Sequence, residues 1–179
     1  MDKKVVFRYN IKDFNFYIEA SHTGLTRLQI LPVNDEKPIS NTFDSKKSNL
    51  KNIHAIIQKT VEQLEKYLNG SLKEFDIPVD PKGTNFQKKV WNVLREIPFG
   101  NVFSYKAVAE LMNHPSAYRA VGMANNKNPI QIIIPCHRVV GMNNHLTGFG
   151  SGIDVKKKLL ISEGHRINSK MVLEDNIWT

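Results

Sequence analysis

The 179-residue chain holds a single cysteine, Cys136, so it can form no internal disulfide and cannot supply a cysteine-rich zinc site. A reducing compartment suits it best. Long apolar runs are missing too: nowhere does the chain approach the roughly 18–20 apolar residues of a membrane span. The first twenty residues, MDKKVVFRYNIKDFNFYIEA, carry no long apolar core behind their lysines. A soluble, cytoplasmic protein (nuclear if the source is eukaryotic) with no membrane partner is expected. Acidic residues are scarce, 17 against 25 Lys and Arg, which leaves a formal charge of +8. The imbalance favours polyanions, nucleic acid above all, although lysines such as those in VKKKLL read equally well as a solvated helix face. The glycine-rich TGFGSG matches no phosphate-binding G-x-x-x-x-G-K-[ST] pattern, so no nucleotide cofactor is expected.

Val5 to Tyr9, Phe14 to Ala20 and Gly24 to Leu31 are β-branched and aromatic runs separated by turn-forming residues, the pattern of a small antiparallel sheet. After a polar stretch from Asn34 to Ser48, Ile53, Ile56, Ile57, Val61 (or Thr60), Leu64 and Leu68 keep helical spacing, and Gly70 supplies a stop. That helix should cover one face of the sheet. FDIPVDPKGT reads as one more short strand and a punctuated connection, which divides the chain into a scaffold of residues 1–80, a linker at 81–84 and a second domain from 85 to 179.

The second half is mainly helical. Thr84 and Gln87 form a plausible capping box, and Phe86, Val90, Leu94 and Ile97, widened by Trp91, mark a helix that Pro98 and Gly100 end. Ser104 can cap a short helix, YKAVAELMN. A further helix starts at Ser116 and runs through AYRAVGMANN, so the two together suggest a helix-turn-helix. Ala117, Ala120, Gly122 and Ala124 let the latter helix approach another surface closely, with packing on a neighbouring helix as the plainer use. Arg119 projects where its charge could reach a duplex. NPIQIIIPCHRVV then reads as a buried strand feeding a turn, and Asp154 can cap a last helix that Gly164 stops.

Cys136 thus sits where a rigid element ends, a usual place for reactive groups. A lone cysteine is often only a small buried hydrophobe. Here His137 and Arg138 follow it directly and offer a base and a positive field to a thiol that would otherwise be mostly protonated at neutral pH. Neighbouring side chains at a turn need not touch, so a bridging water could carry the proton to His137. A histidine base also needs a partner to fix its tautomer, and Glu163 is the candidate carboxylate.

NPIQIIIPCHRVVG, preceded by FSYKAVAELM and AYRAVGMANNKNP and followed by LTGFGSG and KKLLISEGH, closely resembles the O6-alkylguanine-DNA alkyltransferases, also called methylated-DNA-protein-cysteine methyltransferases. The resemblance is strongest from Phe86 to His165; FDIPVD resembles the segment joining that family's two domains, and before Leu72 the match is one of pattern. It implies an α/β protein: a ribonuclease H-like antiparallel sheet with a helix, then a helix-turn-helix, winged-helix-like domain carrying the active site. It also implies suicide repair, in which an alkyl group passes irreversibly from O6 of guanine (with O4 of thymine left open) to Cys136, with no metal or organic cofactor. The partner would be double-stranded DNA holding O6-alkylguanine, met by a monomer.

Carried onto these positions, the resemblance makes Cys136 the acceptor, His137 the water-mediated base, Glu163 its orienting carboxylate, Asn128 the brace of the turn and Tyr105 the proton donor at guanine N3. The carbonyls of Cys136 and Val139 would read the exocyclic amine and an N–H near Gly150 would meet O6, in a pocket shared with Phe149, Ser151 and Met123. Arg119 would fill the gap left by the flipped base. Ala117, Tyr118, Ala120, Gly122, Asn126, Lys127, Ser104 and Arg138 would complete a minor-groove surface with weak sequence preference. Tyr118 is larger than the usual residue beside the finger, and Asn126 replaces one that is often basic. A helix-turn-helix regulator would not need PCHR, a non-repairing lesion sensor would lack Cys136, and no hydrolase signature is present.

Overall fold

The computed structural model describes residues 4–32 and 50–175, so the expected polar stretch from Asn34 to Ser48 lies outside the described residues. The chain divides into two compact units, Met1–Lys82 and Gly83–Thr179. In the first, β1 (Val5–Ile11), β2 (Phe14–Ala20) and β3 (Leu25–Leu31) form an antiparallel meander in the order β1-β2-β3. Strict alternation in β2 turns Phe14, Phe16, Ile18 and Ala20 to the buried face. Helix α1 (Lys51–Leu68) covers that face with Ile53, Ile56, Ile57, Thr60, Val61, Leu64, Tyr67 and Leu68, so both readings of the Thr60/Val61 step are buried. Lys12 Nζ fixes the helix end by donating to Leu68 O at 2.8 Å, and Gly70 leaves it at φ +78°.

FDIPVD does not form the extra strand expected of it. Only Val79 bridges, in parallel with Leu25, through Leu25 N to Pro78 O and Asp80 N to Leu25 O, both 2.8 Å. Pro78 and Pro81 flank that bridge without an N–H to extend a ladder. The approach is close enough that a β-carbon on Gly24 would lie 2.7 Å from Pro78 O, which explains the glycine.

The second unit opens with α2 (Asn85–Arg95), whose N-terminus has the capping box between Thr84 and Gln87. Two-residue strand β4 (Phe103–Ser104) runs directly into α3 (Tyr105–Leu111), and Ser104 Oγ caps α3 by accepting from Ala107 N at 3.0 Å. A single 3-10 turn, Pro115–Ala117, precedes α4 (Tyr118–Asn126), so the helix begins two residues later than Ser116. Beyond the active segment lie β5 (Val139–Val140), parallel to β4, and α5 (Ile153–Ser162). Asp154 does not cap α5; Gly152 holds the cap position at φ +97° and Asp154 lies in the first turn, where its charge suits the helix dipole. No helix among the described residues is long and apolar enough to cross a membrane.

The helix-turn-helix is fastened from beneath by Trp91, whose ring is buried and whose Nε1 donates to Ala124 O at 2.9 Å. Trp91→Phe should therefore lower stability by about 1–3 kcal/mol through the lost bond and ring volume. Urea unfolding checks this; an unchanged midpoint would mean that α2 and α4 do not depend on that contact.

Candidate active site

The apolar run before Cys136 is not the strand its composition predicts. Ile132 adopts φ +71°, Ile134 N returns to Ile130 O at 3.0 Å, and Gln131 bridges Ile134, so the run coils into a buried turn. Apolar runs of this length report burial but not conformation. Pro135 then leads into a 3-10 turn, Cys136–Arg138, and straight into β5. Because β5 pairs with β4, and α3 begins where β4 ends, the thiol turn and Tyr105 are carried by neighbouring backbone.

Behind the thiol lies a buried ionic cluster. Glu163 is the first residue beyond α5 and is 6% exposed; His137 is fully buried and its Nε2 lies 2.9 Å from Glu163 Oε1. Arg138 donates through Nη2 to Oε1 at 2.8 Å and through Nε to Oε2 at 2.9 Å, while its Nη1 meets Ile97 O at 2.6 Å. Gly100 N–H adds a longer contact to Oε2, 3.4 Å. Burial opposes the charged carboxylate, but hydrogen bonds from His137 and Arg138 and the charge of Arg138 outweigh it and hold Glu163 well below the usual range. Burial dominates at His137 and lowers its pKa against the pull of Glu163. An ionised carboxylate only accepts, so neutral His137 must donate from Nε2, which makes Nδ1 its basic nitrogen.

Cys136 is buried, and burial pushes its thiol up to about 11; a hydrogen bond from Asn128 and the charge of Lys156 work in the other direction. Asn128 also braces the turn, donating from Nδ2 to Ile134 O at 2.8 Å and accepting from Ile130 N at 2.9 Å. Burial lowers Lys156 to about 8, a shift that negative charge on Cys136 would oppose. Its ammonium donates to Val139 O at 2.6 Å and Thr147 O at 3.0 Å. Burial likewise raises the Tyr105 phenol, against a hydrogen bond that its oxygen receives from Thr147 Oγ1 at 3.3 Å.

Two residues at this site were not among the sequence candidates. Lys156 sits in the VKKKLL run expected to be a solvated face, yet it is fully buried, and only its place three and four residues before buried Leu159 and Leu160 hints at this. Asn125, on the inner face of α4, is 4% exposed; Nδ2 donates to Cys136 O at 3.3 Å while Oδ1 has no partner among the described residues. Such an orphaned acceptor costs about 1–3 kcal/mol.

Cys136, His137, Glu163, Asn128 and Tyr105 are gathered around one turn. Arg138 and Ser104 do not join a DNA-facing surface: Arg138 is committed to Glu163 and Ile97, and Ser104 to its helix cap. Gly122 faces inward as well, since a β-carbon there would lie 3.7 Å from the Tyr105 ring. Tyr118, Arg119, Met123 and Asn126 occupy the exposed face of α4 with Lys127 beyond it, and Ala117 and Ala120 are half-buried. The Arg119 guanidinium rests 5.6 Å from the centre of the Tyr118 ring. Val139 is buried with its carbonyl held by Lys156, Phe149 and Ser151 are half-buried, and Gly150 is exposed. Ser151 Oγ lies 2.9 Å from Gln131 Oε1.

A buried thiol backed by a buried histidine–carboxylate pair, in a unit that also carries a helix-turn-helix with Arg119 exposed on its second helix, has the make-up of a cysteine nucleophile beside a candidate nucleic-acid-binding element. Comparison with known proteins narrows this class. Residues 8–81 match the ribonuclease-like domain of 6-O-methylguanine DNA methyltransferase and residues 85–165 match its DNA-binding domain. A methylated-DNA–protein-cysteine methyltransferase of Methanosarcina mazei is 44% identical over 145 residues, covering 77% of this chain and 92% of that one. Its counterpart in Methanosarcina acetivorans is 56% identical over 102 residues, 57% of this chain and 65% of that one. The crystal structure of the Mycobacterium tuberculosis protein OGT in complex with DNA superposes with a TM-score of 0.73 at 36% identity, covering 88% of this chain and 91% of that one. The chain belongs to the 6-O-methylguanine DNA methyltransferase family.

The ionic cluster has a pH signature. Unfolded, His137 and Glu163 titrate near 6.5 and 4.5; folded, both are lowered, so the unfolded chain binds more protons in acid. Stability should fall as pH drops below about 6.5, and further below about 4.5. Glu163→Gln should remove the second part and, by leaving Arg138 buried and unpaired, cost roughly 3–5 kcal/mol at neutral pH. Thermal midpoints measured across pH test both; a neutral-pH midpoint equal to wild type would contradict the pairing.

Proposed function

We propose that this chain repairs DNA directly, by moving an alkyl group from O6 of guanine in a duplex to its own Cys136 in a single irreversible turn. The observation that carries the reading is the buried Cys136–His137–Glu163–Arg138 arrangement in a member of this family. With its pKa near 11, the resting thiol is a thiolate only about one time in ten thousand at neutral pH, so a base is required. Neutral His137 supplies it through Nδ1, across a bridging water, while Glu163 and Arg138 keep the ring from turning.

The rest follows from charge. Sulfur forms its bond to the alkyl carbon as the carbon–O6 bond breaks, and the electron pair stays on the base. The Tyr105 hydroxyl donates a proton at guanine N3, and the phenolate is reprotonated by the proton that left sulfur, so one proton moves from thiol to base overall. Lys156 and Asn128 favour the thiolate as it forms. The product is a thioether, which is neither a nucleophile nor readily reversed. A thiol buried in this way cannot reach a stacked base, so the nucleotide must leave the helix; Arg119, exposed on α4, enters the space it vacates. One copy of the chain contains every group the transfer needs.

Intact-protein mass after incubation with a duplex carrying O6-methylguanine should rise by one methylene, stoichiometrically, and not at all in Cys136→Ser. Tight lesion binding without a mass change would assign the protein to lesion sensing, and neither binding nor transfer would leave the fold without this function.

A further inference from the structure

Beside the Arg119 finger stands an aromatic ring that the transfer mechanism leaves unused. The 3-10 turn Pro115–Ala117, closed by Ala117 N to His114 O at 2.9 Å, sets where α4 begins, so Tyr118 and Arg119 are its first two residues. Both side chains are exposed. Side chains on a helix lean toward its N-terminus, and the Arg119 guanidinium accordingly rests 5.6 Å from the centre of the Tyr118 ring. Helix α4 carries no acidic residue, and among the described residues Arg119 has neither an ion pair nor a hydrogen bond. The ring is thus the group the cation is left to rest against. Tyr118 lies outside the core, and its hydroxyl has no partner among the described residues, so packing does not account for an aromatic side chain at this position.

Resting on the alkyl-transfer reading above, we infer that Tyr118 and Arg119 enter the duplex as one wedge: the guanidinium fills the space of the flipped nucleotide, and the Tyr118 ring stacks on a base that borders the gap. Successive nucleotides of a strand are about 3.4 Å apart along the duplex. A ring centred 5.6 Å from the cation therefore lies within reach of the step next to the gap. Flipping a nucleotide bares the faces of its neighbours, and an aromatic face restores the stacking they lose, whatever their sequence. A guanidinium already laid on that ring also loses less freedom on entry than one on a free side chain. The wedge holds the duplex open and leaves the reacting atoms to Cys136 and Tyr105.

The test is single-turnover methyl transfer, followed by mass, from an O6-methylguanine duplex at sub-saturating protein and from the free base O6-methylguanine, which needs no flipping. The proteins are wild type, Tyr118→Ala, Tyr118→Phe, Arg119→Ala and the double alanine variant. Affinity for the lesion duplex is read in parallel by fluorescence anisotropy, each change being placed in Cys136→Ser so that no transfer intervenes. Tyr118→Ala should bind and repair the duplex about tenfold less well, with its rate on the free base and its thermal midpoint unchanged. Tyr118→Phe keeps the ring and should stay within about twofold of wild type. The double variant should lose less than the product of the single losses, because the two side chains act as a unit. Duplex repair by Tyr118→Ala at or above the wild-type rate, equal slowing on the free base, Tyr118→Phe as slow as Tyr118→Ala, or losses that multiply would each overturn the inference. Wild type that takes a methyl group from neither substrate would sink the transfer reading instead, and the affinities would still decide the wedge.

Discussion

Everything at this site depends on one buried carboxylate. Glu163 follows directly on α5, and its two oxygens organise groups from three other stretches: His137 and Arg138 on the thiol turn, the Gly100 amide and, through Arg138, the Ile97 carbonyl. A buried ion pair of this kind is weak support for stability, since desolvation offsets much of the attraction. Its value lies in direction. A carboxylate held ionised can only accept, so it imposes one tautomer on His137 and leaves the other ring nitrogen as the basic one. Arg138, one residue on, fixes the carboxylate while leaving His137 its share of Oε1.

Around the sulfur the balance is set the other way. Burial holds Cys136 as a thiol and lowers Lys156 toward neutrality, and each charge would favour the other. The resting protein is therefore a poor nucleophile toward stray electrophiles, which matters for a protein that reacts once. Lys156 also ties Val139 O to Thr147 O, and Thr147 reaches Tyr105, so the loop before α5 is joined to both sides of the site. Below that loop, Leu146 packs with Val102, Val140, Leu160 and Leu173, which links the chain after α5 to the same core.

Much of this was legible in the sequence because it is periodic or local. Alternation gave the three strands, helical spacing gave α1 and α2, and short-range side-chain chemistry gave the Thr84–Gln87 box and the Ser104 cap. The thiol and its neighbours stood out because their residue types and order match one family's motif. What escaped has long-range causes. IQIIIP shows its burial in composition, but the positive φ at Ile132 that coils it is imposed by tertiary packing. Strand extension in FDIPVD is cut to one bridge by prolines whose missing N–H groups matter only beside a particular partner strand. Arg138 reads from the sequence as part of a DNA-facing surface because nothing local reveals that Glu163, twenty-five residues on, takes it inward. Lys156 and Asn125 were passed over since a buried lysine or asparagine is recognisable only from the carbonyls it meets.

The account turns on His137 being neutral, with its proton on Nε2. Nitrogen NMR of histidine-labelled protein, with the His137 signals assigned by their loss in His137→Phe, observes both properties across pH. The account predicts a protonated Nε2 and a bare Nδ1 at pH 7, persisting below the ordinary titration point near 6.5. A doubly protonated ring at pH 7, or a proton resident on Nδ1, would contradict it.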